Sequence, residues 1–145
     1  MRTLIAAALI LAAPLAGAQT PAAAVERTAS PPGAEVYIIS PRDGATVHSP
    51  VHVQFGLKGM GVAPAGVKFD NTGHHHLLVD TDAPADPGAP LPATDKIVHF
   101  GKGQTEASVP LSPGKHTLQL LLGDQNHVPH NPPVISPKIT VTVTK

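Results

Sequence analysis

Apolar and polar residues alternate along this chain in short runs, separated by clusters of Pro, Gly, Asp and Asn. In "VHVQFGL" (51–57), Val51, Val53, Phe55 and Leu57 share one side of a period-2 pattern. That pattern belongs to a strand buried on one face. "EVYII" (35–39), "HHHLLVD" (74–80), "IVHF" (97–100), "QTEASVPL" (104–111), "HTLQLLL" (116–122) and "KITVTVT" (138–144) read as further strands. "SPRDGATVHSP" (40–50) reads as a turn region with a tight turn at Asp43-Gly44. No segment carries a long 3.6-residue period, and prolines spread through the connections would break helices. About seven short strands with frequent turn signals predict an all-β fold, an antiparallel immunoglobulin-like β-sandwich. The Cys…Trp…Cys pattern of antibody domains is missing, because the chain has neither residue.

The N-terminus has a different pattern. Arg2 precedes an apolar run from Leu4, Pro14 interrupts it, and Ala16-Gly17-Ala18 supplies small residues for cleavage. We read residues 1–18 as a secretory signal peptide. The run is too short for a membrane span of about 20 apolar residues. Residues 19–34, rich in Pro and Ala, are expected to be a flexible tether, and residues 35–145 the β-sandwich domain. The expected location is therefore outside the cytoplasm, periplasmic or extracellular.

Composition narrows the function classes. Ten Lys+Arg face ten Asp+Glu, and loss of Arg2 with the leader leaves nine against ten. Such a balance gives no basic footprint for nucleic acid. With no cysteine, the exported chain has no disulfide, no thiol nucleophile and no lipid-bearing cysteine. No G-x-S-x-G elbow, H-E-x-x-H helix or phosphate-binding loop is present. We therefore expect a non-catalytic protein.

Nine histidines are many for this length. If successive strands run in alternating directions, strand 51–57 ends where strand 74–80 begins, and loop 123–136 returns to the same end. That end would collect His74, His75, His76, His99, His127 and His130, together with Asp124 and Met60. His48, His52 and His116 would lie at the opposite end as ordinary surface or edge residues. Pleat parity places His75 with Leu77 and Val79, which we expect to face the rim of the core. His74 and His76 fall on the other face with Leu78 and Asp80.

Two readings of this cluster stay open. Neutral imidazole is the commonest protein ligand for zinc and copper. The candidate ligands are His74, His76, His127 and His130, with His99, Asp124 and Met60 as secondary ones, and the ion Cu or Zn. In the other reading the histidines form a hydrogen-bonded lattice that stiffens the loops. Asp124, Asn126 and Asn131 in "GDQNHVPHNPP" favour turns, and such loops would meet a protein or glycan partner.

The stretches "VYIISPRDGATVHSPVHVQFGLKGMGVAPAG", "NTGHHHLLVDTD", "HFGKGQTE", "LSPGKHTLQLLLGDQNHVPHNPPVIS" and "KITVTV" resemble a bacterial family of small exported proteins catalogued as domain of unknown function 4399. The resemblance spans about residues 36–144. It implies that the histidine stretches are family motifs, and it brings no established activity with it.

Overall fold

The structure, a computed structural model, describes residues 26–145. The leader and the first part of the tether lie outside the described residues. Among the described residues there is no helix, and hence none long and apolar enough to cross a membrane. The described residues form nine strands: β1 (Glu35–Ser40), β2 (Thr46–His48), β3 (Val51–Lys58), β4 (Gly61–Val62), β5 (Thr72–Val79), β6 (Ile97–His99), β7 (Glu106–Val109), β8 (Gly114–Gly123) and β9 (Ile139–Thr144). One sheet has the order β1-β3-β7. The other has the order β2-β9-β8-β5-β4, with β6 also paired to β5.

The two sheets share one core, and alternation decides which residues reach it. Val51, Val53 and Phe55 of β3 are buried while His52 between them is exposed. Leu118, Leu120 and Leu122 of β8, Val141 and Val143 of β9, and Leu77 and Val79 of β5 join them in one cluster. Burying each of these leucines contributes on the order of 2 kcal/mol.

β5 is buried on both faces from Gly73 to Val79. His75, Leu77 and Val79 face the core. His74, His76 and Leu78 face the other way, where Leu78 packs with Leu91 and Leu121 in a second, smaller cluster. Leu91 comes from the long connection 81–95, whose backbone is tied to the next loop by the Leu91 N–H donating to the His127 carbonyl at 2.8 Å. This cover accounts for leucines on both faces of "HHHLLVD".

The observed strands depart from the expected set in two places. β2 lies in the segment read as a turn region and pairs in parallel with β9. β4 lies in the loop 58–73 and pairs in parallel with β5. The all-antiparallel expectation is thus corrected to mixed pairing. Elements of three and two residues are too short to display a period, and their partners hold them. At the Asp43-Gly44 turn, Gly44 takes φ +78°, the Asp43 carboxylate accepts from Thr140 N at 2.8 Å, and Gly44 N donates to the Thr140 carbonyl.

The end of the expected tether is also different. Residues 27–30 run along the segment 129–132. The Arg27 guanidinium donates to the Pro129 carbonyl at 3.0 Å and to the His130 carbonyl. The Thr28 carbonyl accepts from Asn131 N, and Ser30 N donates back to Asn131 O. Here the tether is a strap, held by donors that composition alone does not reveal.

Candidate metal centre

Two strands and one loop converge on a set of four imidazoles. His74 and His76 sit two residues apart on β5 and so project from the same face, with ring centroids 4.7 Å apart. His99 of β6 stands opposite His76 in the ladder. His127 arrives from the turn after β8 in a left-handed conformation, φ +66°, which is uncommon for a residue with a side chain. One ring nitrogen from each of the four lies within 4.8 Å of those from the other three. His74 Nε2 and His127 Nδ1 are 3.1 Å apart.

Glycines and one carboxylate make this convergence possible. A Cβ at Gly123, which faces His74 in the β5–β8 ladder, would stand 2.8 Å from His76 Cε1. A Cβ at Gly101 would stand 2.2 Å from His99 Cε1. Both rings therefore occupy space that a side chain at these glycines would fill. Asp124 is buried and organises the turn bearing His127. Its Oδ1 accepts from Asn126 N at 2.8 Å and Val128 N at 3.0 Å, and its Oδ2 accepts from Thr28 Oγ1 at 2.6 Å. Its backbone adds bonds to Val128 O and from His127 N.

Among the described residues, half of the eight ring nitrogens are buried and unpaired. His74 Nδ1, both nitrogens of His76 and His99 Nε2 are buried without a hydrogen-bond partner. Each such orphan costs roughly 1–3 kcal/mol. Three of the imidazoles, His74, His76 and His99, are shifted toward the neutral form. Burial, followed by the neighbouring His127 and His99, brings His74 down to about 4 despite the opposing pull of Asp124. Burial, followed by His74, His99 and His127, brings His76 down to about 3. His99 is lowered by burial and by His127. Neutral imidazoles with free lone pairs are what a metal ion requires.

Of the seven candidate ligands, the structure brings together His74, His76, His99 and His127. Three others stand outside the group. The Asp124 carboxylate is occupied by its three donors. His130 is fully buried, and its Nε2 faces the Thr72 carbonyl at 3.2 Å, as the lattice reading expected for such loops. Met60 packs against the main core. His75 points inward as parity required. It contacts the Phe55 ring at a centroid distance of 5.1 Å, and burial lowers it to about 4. The Gln104 backbone opposes that shift without completing a hydrogen bond. A cleft of about 470 Å³ beside β6 and β7, lined by Val98, Phe100 and Ala107, contains none of the four histidines.

At the opposite end His116 is not an ordinary surface histidine. Its Nδ1 is 2.7 Å from Asp80 Oδ2, and its Nε2 is 2.8 Å from the Ser112 carbonyl. Both partners are acceptors, so the site favours the doubly protonated ring, and the Asp80 hydrogen bond raises His116 above its ordinary value.

With this geometry in view, the comparison with known families is informative. A family model described as a domain of unknown function, DUF4399, matches residues 53–144. The chain belongs to the DUF4399 family. All four converging histidines of this DUF4399 domain, and Asp124 with them, fall inside the matched span. No curated protein and no solved structure matches the chain.

Proposed function

We propose that this DUF4399 domain is an exported, non-catalytic binding protein that takes a transition-metal ion, copper or zinc, on His74, His76, His99 and His127. In this reading the two sheets form an immunoglobulin-like sandwich with the ion at one end. The leader-like N-terminus supports export. The observation that carries the reading is the convergence of four imidazoles whose ring nitrogens lie within 4.8 Å of one another, several of them buried and otherwise unpartnered. An ion there would take up lone pairs that, among the described residues, have at most the His74–His127 contact as a competing partner.

One observation favours the lattice reading, the His130–Thr72 contact. It concerns a residue outside the cluster. Among the described residues no ring nitrogen of the cluster completes a hydrogen bond to a backbone carbonyl, although the His74 backbone pulls on His76, and the hydrogen-bonding contact within the cluster is between His74 and His127. Titration calorimetry with Zn(II) and Cu(II) separates the two readings. The metal-free wild type and His130→Ala should each bind one ion, and His76→Ala/His127→Ala should bind none. Equal and negligible heats in all three proteins would leave only the lattice.

A further inference from the structure

The four rings define a coordination geometry as well as a ligand set. An imidazole nitrogen bonded at 2.0–2.1 Å puts its ring centre roughly 3.2 Å from the ion. Four such rings in a tetrahedron would show six centre-to-centre separations of about 5.2 Å. In a square plane they would show four of about 4.5 Å and two of about 6.4 Å. The observed separations are 4.7 Å (His74–His76), 5.0 Å (His74–His99), 5.0 Å (His74–His127), 5.1 Å (His76–His99), 4.7 Å (His99–His127) and 6.0 Å (His76–His127). Three of the six (5.0, 5.0 and 5.1 Å) fall near the tetrahedral value, two (4.7 Å) are somewhat shorter, and one diagonal (6.0 Å) is stretched. A planar array would need two long diagonals, and His74–His99 is as short as a side.

Resting on the metal-binding reading above, we infer that the centre is a slightly flattened tetrahedron closed by four protein nitrogens, built for Zn(II) and leaving no position for water or substrate. Cu(I) prefers thiolate or thioether sulfur. The chain has no cysteine, and the half-buried Met60 packs against the core, outside the group of four. Cu(II) binds strongly to nitrogen sites in general but favours a square-planar or tetragonal array. The strand backbone opposes that rearrangement, because His74, His76 and His99 sit on paired strands, and Gly123 and Gly101 hold two of the rings against the main chain. A four-coordinate structural zinc site is closed, whereas a catalytic one keeps a position open. The centre therefore retains or stores its ion and does not activate water.

Co(II) loaded into the wild-type chain reports the geometry, because four-coordinate Co(II) is intensely coloured and six-coordinate Co(II) is pale. The expected result is an intense visible spectrum that added azide leaves unchanged. His99→Ala, which removes one ligand, should give a spectrum that azide shifts. X-ray absorption of the Zn(II) form should show four nitrogen neighbours and no fifth light atom. A pale Co(II) spectrum, an azide-responsive wild type or a five- or six-coordinate zinc overturns the closed tetrahedron while leaving metal binding intact. Failure of the wild type to retain Zn(II) and Co(II) on dialysis while it retains Cu(II) overturns the zinc centre alone, and failure to retain any of the three overturns both. The wild-type azide response and the zinc coordination number decide the matter even if His99→Ala does not fold.

Discussion

Replacing Asp124 by Ala removes the acceptor of three hydrogen bonds from the turn that carries His127. Two are backbone N–H groups, of Asn126 and Val128, and the third is the Thr28 hydroxyl. A hydrogen bond to a charged group is worth about 1.5–3 kcal/mol, and an orphaned buried donor costs about 1–3 kcal/mol. The Thr28 hydroxyl can rotate to another acceptor, and Asn126 is half-buried, so the terms do not add fully. The expected loss is about 3–5 kcal/mol, read by urea unfolding of the metal-free protein. Zn(II) affinity should fall roughly 10- to 100-fold, the usual effect of removing a group that orients a ligand. Asp124→Asn keeps one carbonyl oxygen for the two backbone donors, so it should lose only about 1 kcal/mol and bind zinc nearly as well. If Asp124→Ala unfolds like the wild type within about 0.5 kcal/mol, Asp124 does not organise the turn. If Asp124→Asn loses as much zinc affinity as Asp124→Ala, the negative charge and not the turn is what the site requires.

Gly101→Ala drives a methyl group into the His99 ring and should weaken Zn(II) binding at least about 10-fold with no ligand removed, as calorimetry would show. Leu120→Ala, deep in the core, should cost about 2–5 kcal/mol by denaturant unfolding and leave one zinc site per chain. His75→Leu replaces a core imidazole with two unpaired nitrogens and should stabilise the protein by roughly 1–3 kcal/mol without changing zinc affinity, because the ring faces away from the centre. A destabilised His75→Leu would mean that Gln104 holds that ring after all. The hydrogen bond to Asp80 raises His116, with burial opposing. Burial pushes the Asp80 carboxyl up, but the Thr117 N–H and His116 more than offset this, and the net direction is down. The His116 contribution is therefore complete below its ordinary value of about 6.5 and fades as pH rises through its raised pKa, while the Asp80 contribution fades only in acid. His116→Gln should thus be less stable than the wild type near about pH 6, with the gap closing toward about pH 9, in parallel thermal melts.

The long alternating runs were legible because each has a single apolar face. Strands 51–57, 116–122 and 138–144 recur as β3, β8 and β9 within a residue or two. The residues that escaped notice are those whose structure is imposed from outside. "ATVH" becomes β2 because β9 offers a free edge, and Gly61-Val62 becomes β4 because the start of β5 lies alongside. The strap at Arg27–Ser30 depends on carbonyls a hundred residues away. His116 looked ordinary because its partner, Asp80, is distant in sequence and turns back through a left-handed φ of +52°.

For the centre itself, period 2 carried most of the information. A run of three histidines on a strand must split, and the leucines that follow decide how. Leu77 belongs to the main core and Leu78 to the smaller cluster, so His75 goes with the first and His74 and His76 with the second. Register then brings His99 opposite His76, a pairing that needs the β5–β6 ladder and not composition. The ranking of the candidates was less legible than their gathering at one end. His130 and Asp124 carry ligand chemistry, but each is used by the backbone of the loops that it joins. Three ligands thus stand on paired strands, where positions are most exact. The fourth, His127, hangs on a turn whose strained φ is held by one carboxylate. Affinity should therefore be most sensitive not to the strands but to that turn, since it is the single element whose relaxation would leave three nitrogens in place and remove the fourth.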